Sequence, residues 1–400
     1  MGEFNVDDFL GKIISDMNEG DSETLTTVFE KRLAELNINQ TAAAEIMGIQ
    51  HRGLVGVLTG TLKRVDFLTL IKLSSFLQRP EKEVLELFMN SFRDNLPSKD
   101  NQEKVTFIRD NFDLAMLKKV GFINDITDVD EIEEKICKLF RLNNVLDYKP
   151  SNIVPAFSSG KIKKTNSLSQ NIWLTKAEDI LKDLDNPYTY DRDKLIKVFP
   201  KIRWYSTQEK LGLKDVISQL YKCGVSVIFV PSFPNLHVRG ATIPVNGKPA
   251  VILTDYKGFY ATLWFALIHE LYHVLFDWEE ISQGNYHLSL DETENAVLAQ
   301  KELEADSFAR KYLFSKEKSA MIKRHLNNHQ EVLKFAKFND VHPCMIYLFE
   351  AYDAGNKATN WMKARIYNVD VSQSLGDLSS AWDNIESIDR YVFRNRELYS

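Results

Sequence analysis

The chain has 400 residues, and 50 lysine and arginine residues against 56 aspartate and glutamate residues give it a formal charge of −6. Apolar residues make up 44% and charged residues 26% of the sequence, which excludes a disordered or collagen-like chain. Because one hydrophobic core rarely grows beyond about 250–300 residues, this length predicts two to three domains. The mildly negative charge predicts no global attraction to nucleic acid.

The sequence predicts neither a membrane anchor nor an export signal. No apolar run approaches the roughly 18–20 residues of a membrane-spanning helix. The N-terminal residues also lack a basic segment followed by an apolar one. Cys137, Cys223 and Cys344 are too few and too scattered for a disulfide framework or a four-cysteine zinc site. We therefore expect a protein of the reducing cytoplasm.

Hydrophobic spacing divides the chain into segments and predicts a mainly α fold. Short helices form an N-terminal all-α domain, in which Asn39 caps a helix that starts near Gln40 and Gly48 ends it. A helical connecting region, an α+β core and a helical C-terminal region follow. The predicted boundaries are 1–22 for an N-terminal segment, 23–94, 103–200, 201–315 and 316–400.

The strands of the α+β core are predicted from three β-branched or alternating runs. GVSVIFV (224–230) suits a strand buried on both faces, and LHVRGATIPV (236–245) and PAVILTD (249–255) flank Asn246–Gly247. An Asn-Gly pair between two such runs predicts a hairpin. We also expect the edge of strand 236–245 to be free to hold an extended peptide by β-addition. Two long helices are predicted after the strands.

The first of these helices, at about 260–278, contains His269-Glu270-Leu271-Tyr272-His273, an H-E-x-x-H pattern. Two histidines at i and i+4 project from one helix face, so their ring nitrogens can meet one Zn²⁺. Glu270 can then act as general base toward the water that the metal activates. The flanks WFALI and VLF are apolar, and a buried helix does not carry such polar groups without partners.

A catalytic zinc needs a third protein ligand, and the second helix, at about 292–314, offers candidates in KELEADSFARKYLF (301–314). Glu302 shares a helical stripe with Ala305 and Ala309, which favours it over Glu304 on the opposite side. Asp306, one turn after Glu302, is expected to orient a ligating histidine through its second ring nitrogen. An exposed charged face remains the alternative for this helix.

A hydrolase of this kind also needs a donor for the developing oxyanion. Tyr272, His287 and His342 are the candidates, and for each an ordinary packing or surface role is the stronger alternative. The H-E-x-x-H pattern has its own alternative, a pair of core histidines satisfied by hydrogen bonds.

These residues together resemble a known family. GVSVIFVP, VRGA (238–241), ILTD, WFALIHELYHVLF and ELEADSFA are similar to the ImmA/IrrE-type metallopeptidase domain. The resemblance implies a zincin-like core in which His269, His273 and an acidic residue of the E-x-E-A-D segment bind zinc and Glu270 is the general base. It covers about 202–315 and continues more weakly in 113–123, 173–181 and 340–352, which resemble long members fused to an antitoxin-like helix-turn-helix.

Residues 24–77 resemble an XRE-type helix-turn-helix, with a turn at 47–50 and HRGLVGVLTG (51–60) as the recognition helix. The groups that can reach DNA within residues 40–64 are Gln50, His51, Arg52, Lys63 and Arg64. This helix also holds two glycines, and residues 21–79 carry seven basic against six acidic side chains, whereas phosphate binding favours a clear basic face. Double-stranded DNA and a protein partner, including a second copy of the chain, therefore both remain candidates.

The resemblance implies a regulatory zinc endopeptidase, latent until activated. Its expected substrate is a repressor or other regulator, cleaved in a stress, phage-defence or toxin-antitoxin response. The alternative is a non-catalytic DNA-binding transcriptional regulator or antitoxin, in which the metal domain acts as a sensor, and a scaffold acting by protein contacts alone is a third. Glu270 favours the enzyme, because zinc binding does not require it, whereas zinc catalysis does.

Overall fold

The computed structural model describes residues 23–62, 65–93, 99–151, 156–159, 167–283, 292–355, 357–384 and 386–400. The chain divides into two compact units, Met1–Glu103 and Lys104–Ser400. In the described residues both units are mainly helical, and a four-stranded sheet lies in the second. Within these ranges, none of the helices has the length and apolar character needed to cross a bilayer.

The first unit is built from short helices around a small apolar core. Asn39 accepts a hydrogen bond from the amide of Ala42 at 2.8 Å and Gly48 ends the helix at φ 60°, as the sequence predicts. The helices are α1 (Leu25–Leu36), α2 (Gln40–Met47), α3 (His51–Leu58), α4 (Phe67–Leu77) and α5 (Glu81–Arg93), with α6 (Lys99–Asn111) spanning the boundary. The core includes Leu25, Phe29, Ala43, Leu54, Leu73 and Val84.

Gly56, which lowers the intrinsic helix propensity of α3, has a packing role. A Cβ atom at this position would lie 2.5 Å from Cγ of Leu62. The amides of Thr61 and Leu62 both donate to the Gly56 carbonyl. The absent side chain therefore lets the chain turn back closely over the end of α3.

The second unit carries most of the helices and the sheet. Its helices are α7 (Leu114–Lys119), α8 (Val129–Phe140), α9 (Ser167–Leu184), α10 (Arg192–Tyr205), α11 (Gly212–Tyr221), α12 (Tyr260–Phe276), α13 (Trp278–Ser282), α14 (Glu292–Phe314), α15 (Lys316–Ile322), α16 (His329–Phe338), α17 (Pro343–Asp353), α18 (Ala358–Ile366), α19 (Val371–Leu375) and α20 (Ile388–Asn395). Its strands are β1 (Ala156–Ser159), β2 (Ser226–Phe229), β3 (Val238–Val245) and β4 (Lys248–Leu253).

The sheet has the strand order β1-β3-β4-β2. β2 runs parallel to β4, and β3 and β4 form an antiparallel hairpin that begins with the pair Val245 and Lys248. Its two loop residues, Asn246 and Gly247, have φ angles of 50° and 72°. Because these side chains tolerate positive φ, the hairpin predicted from the Asn-Gly pair is confirmed.

One prediction about this region is wrong. β1 comes from the segment 103–200, which is otherwise mainly helical, and it pairs antiparallel with β3. β3 therefore lies between β1 and β4, and its edge is not free for β-addition. A four-residue strand is too short to show a period in the sequence, and its partner lies far along the chain.

Helix α12 lies at the centre of the second unit. It contacts β3, β4, α14 and α17, and most of its residues are buried. A helix with neighbours on several sides buries apolar residues around much of its circumference, which explains the run WFALI before His269. The polar groups of this helix are therefore placed away from bulk water.

The outer edge of β2 is covered by tyrosines from the C-terminal region. The hydroxyl of Tyr391 lies 3.4 Å from both the amide and the carbonyl of Phe229. The hydroxyl of Tyr399 donates to the carbonyl of Val227 at 2.7 Å. These bonds satisfy backbone groups that β4 does not reach, so the edge strand is protected from further pairing.

We expect Tyr399→Phe to lower the free energy of unfolding by about 1–3 kcal/mol, because the buried carbonyl of Val227 loses its donor. Denaturant unfolding followed by circular dichroism measures this change. The matched control is Tyr188→Phe, since that residue is 40% exposed and its change should stay within about 0.5 kcal/mol. Equal stability of both variants would show that the hydroxyl of Tyr399 does not stabilise the edge of β2.

Candidate metal centre

Helix α12 brings two imidazoles together in the interior of the second unit. His269 and His273 are four residues apart on one face of the helix, and each is 1% exposed or less. Their Nε2 atoms lie 3.3 Å apart. A hydrogen bond between these nitrogens needs one of them protonated, whereas a shared cation is compatible with both in the neutral form.

Glu302 of α14 completes a compact group with the two imidazoles. One carboxylate oxygen lies 3.3 Å from Nε2 of His269 and the other lies 3.3 Å from Nε2 of His273. Ligand atoms bound about 2.0–2.1 Å from one ion at tetrahedral angles are about 3.3 Å apart. The three side chains therefore fit a metal ion with a position left for another ligand, and this triad is the group of the described residues that could hold one.

Glu304, the alternative third ligand predicted from the sequence, has a different partner. Its Oε2 accepts a hydrogen bond from the hydroxyl of Tyr272 at 3.0 Å. Glu304 and Glu302 are two residues apart on α14, so they point in different directions. The structure thus brings Glu302, rather than Glu304, to the imidazoles.

Two carboxylates fix the outer nitrogens of the imidazoles. Asp306 Oδ1 lies 2.9 Å from Nδ1 of His269, and Asp277 Oδ2 lies 2.8 Å from Nδ1 of His273. When the imidazoles are neutral, each carboxylate can accept from an Nδ1–H group, and the lone pair of Nε2 is then directed at the centre. Arg239 and Lys301 in turn contact Asp306 and Asp277, at 3.4 Å and 3.2 Å.

Glu270 lies beside the triad and is fully buried. Its Oε2 accepts a hydrogen bond from the hydroxyl of Thr242 on β3 at 2.8 Å. Its Oε1 is buried and finds no hydrogen-bond partner among the described residues. A buried carboxylate oxygen without a partner is costly, so the second oxygen is available for a group that the chain does not supply.

A glycine of β3 makes room for this carboxylate. A Cβ atom at Gly240 would lie 3.0 Å from both Cγ and Oε1 of Glu270, and 3.0 Å from the carbonyl of Ile252. These distances are shorter than ordinary van der Waals contact. A side chain at Gly240 would therefore displace Glu270 or widen the sheet.

Burial and hydrogen bonding shift the ionisation of the centre in opposite directions. Burial raises the pKa of Glu270, because its charged form loses hydration. Burial acts to lower the pKa of His273, but the hydrogen bonds to Asp277 and Glu302 prevail and raise it to about 10. Glu302 keeps a lowered pKa, since the hydrogen bonds from both imidazoles outweigh its burial.

The predicted oxyanion donors either have other hydrogen-bond partners or lie outside the described residues. Tyr272 is next to His273, but its hydroxyl is bonded to Glu304. His342 caps α17, with Nδ1 accepting from the amide of Cys344 and Nε2 lying 3.1 Å from Glu209. The structure therefore brings neither ring nitrogen of His342 to the triad. His287 lies outside the described residues.

Four residues of the centre were not identified from the sequence, namely Thr242, Arg239, Asp277 and Lys301. Only Asp277 had a local signal, because it follows His273 by four residues and so lies one helical turn further on. The other three reach the centre from β3 or α14 by tertiary contacts. Their recognition needs the sheet register and the packing of α14 on α12.

The first unit places the predicted DNA-binding residues at the start of α3. Gln50, His51 and Arg52 are exposed there. Lys63 and Arg64 lie outside the described residues. Three exposed polar side chains at a helix N-terminus suit contact with either DNA or a protein.

The same unit exposes an apolar surface on α4. Phe67, Leu68 and Ile71 are 66%, 60% and 36% exposed. Large apolar side chains grouped on a surface favour contact with another protein.

We expect Glu302→Gln to lose bound metal while Glu304→Gln retains it, because only Glu302 faces both imidazoles. Metal content of the two purified full-length variants, measured by plasma mass spectrometry beside the wild type, checks this. The two variants remove the same charge from the same helix. Full metal content in Glu302→Gln, or equal loss in both variants, would contradict the ligand assignment.

Metal binding near neutral pH should release protons, because the raised pKa keeps the imidazole of His273 protonated in the metal-free protein. In that form the protonated imidazole stabilises the fold fully below a pH of about 6.5, the usual pKa, and this contribution is lost as the pH rises through about 10. Metal affinity should rise over the same interval. Titration calorimetry in buffers of different ionisation enthalpy measures the release, and a binding heat independent of the buffer would exclude it.

The chain matches no protein-family model, no curated protein sequence and no solved structure.

Proposed function

We propose that the second unit is a zincin-like zinc endopeptidase. The first unit is a helix-turn-helix module that regulates the endopeptidase or brings it to its target. The observation that carries this proposal is Glu270, a fully buried carboxylate with one unpartnered oxygen beside a triad of metal-binding side chains. A structural metal site gains nothing from such a group. A hydrolytic site needs a base at this place.

Zinc is the metal that the donor set favours. Two imidazole nitrogens and one carboxylate oxygen, with a position open for another ligand, are the arrangement of catalytic zinc sites, whereas structural sites usually close with cysteine or histidine. The carboxylates of Asp306 and Asp277 on the outer nitrogens raise the basicity of both histidines. A bound zinc ion would polarise the substrate carbonyl and lower the pKa of water.

Residues of the chain carry out the proton transfers and shape the surroundings of the reacting groups. Glu270 accepts a proton from the attacking water and delivers it to the leaving amine, which its raised pKa favours. Thr242 holds one oxygen of this carboxylate, so the other is presented to the reactants. The apolar surroundings of α12 restrict competing water and strengthen these electrostatic interactions.

Regulation by the first unit is part of the proposal. Its exposed residues on α3 and α4 offer surfaces for DNA or a protein, a second copy of the chain included. A protease brought to DNA or to a protein partner in this way acts on a repressor or another regulator, in a stress, phage-defence or toxin-antitoxin response. It would stay latent until a partner or signal engages it.

We expect Glu270→Gln to keep zinc and to abolish cleavage, and His269→Ala to lose zinc. Zinc content and labelling of new protein N-termini in cells that produce each variant measure the two properties separately. Thr242→Val should keep zinc and slow cleavage, because it removes only the bond that holds Glu270. Identical sets of new N-termini with wild type and Glu270→Gln would reject the endopeptidase.

The alternative function is a non-catalytic DNA-binding regulator or antitoxin whose metal domain is a sensor. The exposure of Gln50, His51 and Arg52 at the start of α3 favours it. The same experiment separates the two. A regulator would retain its effect in cells after Glu270→Gln and lose it in variants that do not bind zinc.

A further inference from the structure

A cleft of about 570 Å³ lies in the second unit, next to the metal centre. Arg239 of β3, Phe265 of α12 and Asp306 of α14 line its side toward the metal centre, and α17 supplies another part of its wall. None of the metal-binding triad lines it. The cleft is therefore a site beside the reaction centre, connected to it through Asp306.

The walls of the cleft provide flat apolar surfaces. Phe265, Phe349, Tyr256 and Tyr352 all line it. Its volume falls in the range of about 300–1,000 Å³ that is typical of small-molecule sites, which combine apolar walls with a few polar groups. Rings of this kind bind aromatic or heteroaromatic ligands by stacking or edge contacts.

The residues that line the cleft carry more positive than negative charges. The five cations are Arg239, Lys257, Arg310, Lys311 and Lys316, and the three acids are Asp306, Glu317 and Asp353. Arg239 pairs with Asp306 at 3.4 Å, and Arg310 pairs with Asp353 at 2.6 Å. The remaining lysines outnumber the one remaining acid, so the cleft attracts an anion.

Two lining residues carry buried donors that no described residue satisfies. Nη1 of Arg310 and Oγ1 of Thr262 are buried and have no hydrogen-bond partner among the described residues. The guanidinium of Arg310 also lies 4.4 Å from the ring centroid of Phe349. The stacked guanidinium places a positive charge beside an aromatic ring, which suits a ligand that joins an aromatic ring to an anion.

Arg239 links this cleft to the metal centre. It contacts Asp306 at 3.4 Å, and Asp306 in turn lies 2.9 Å from Nδ1 of His269. Arg239 also lies 5.6 Å from the ring centroid of Phe265, one turn before His269 on α12. A ligand anion that attracts the guanidinium competes with Asp306 for it, and so alters the carboxylate that orients a metal ligand.

We propose that this cleft binds a small aromatic or heteroaromatic anion, bearing a phosphate or carboxylate and up to the size of a mononucleotide, and that its occupancy changes metal affinity. Such a site would make the second unit responsive to a metabolite. The proposal does not depend on peptide cleavage, because it concerns binding at a surface separate from Glu270. A protease and a non-catalytic metal sensor could both use it.

Calorimetric titration of the zinc-loaded full chain tests the binding. The probes are AMP and 1-naphthyl phosphate. The matched probes are adenosine, which lacks the anion, and inorganic phosphate, which lacks the ring. We expect both aromatic phosphates to bind at least about tenfold more tightly than either matched probe. No binding of AMP or 1-naphthyl phosphate at millimolar concentration would overturn the proposal, as would equal binding of inorganic phosphate.

Two pairs of variants locate the site. Ser307→Trp fills the cleft and should weaken 1-naphthyl phosphate binding by about tenfold or more, whereas Met321→Trp, at a 69% exposed position outside the lining, should not. Lys316→Glu should weaken binding and Lys337→Glu, outside the lining, should not. Thermal unfolding of the four variants monitors folding. Unchanged binding in both cleft variants would place the ligand elsewhere and overturn the assignment.

The coupling between ligand binding in the cleft and zinc binding at the metal centre provides the second test. Zinc affinity, measured by competition with a chelator, should differ in the presence and absence of saturating 1-naphthyl phosphate, because coupling between two sites is reciprocal. Arg239→Gln should reduce this difference. Equal zinc affinity with and without the probe would show that occupancy of the cleft does not reach the metal centre, and would overturn the regulatory part of the proposal.

Discussion

The second unit depends on the burial of two imidazoles and one carboxylate in an otherwise apolar interior. His269, Glu270 and His273 are almost inaccessible to water, and Glu302 joins them from the neighbouring helix. Desolvation of so many ionisable groups is costly unless each one has partners. The carboxylates of Asp277 and Asp306 meet this requirement at the outer nitrogens, so the packing of α14 on α12 is electrostatic as well as apolar.

The parts that were predictable from the sequence are those with a local period. The two histidines and Glu270 share one helix, and their spacing alone places the ring nitrogens together. The Asn-Gly hairpin and the caps Asn39 and Gly48 are likewise set by backbone preferences within a few residues. Glu302 needed one further step, the assumption that the side of α14 with small alanines is the packed side.

The parts that were not predictable depend on contacts between distant segments. Thr242 and Arg239 reach the centre only because β3 lies across α12 in one register. Tyr391 and Tyr399 cover β2 from a segment whose sequence shows no pattern that points to a sheet. The strand β1 has no period of its own, so its pairing with β3, which removes the free edge, could not be predicted. Tertiary packing, rather than propensity, decides these positions.

The place of β1 in the sheet has a consequence for any polypeptide that approaches the centre. β1 pairs with β3 at Ala241 and at Thr242, the residue that bonds Glu270, and its register shifts between Phe157 and Ser159. An incoming strand would have to take over hydrogen bonds that the chain already makes with itself.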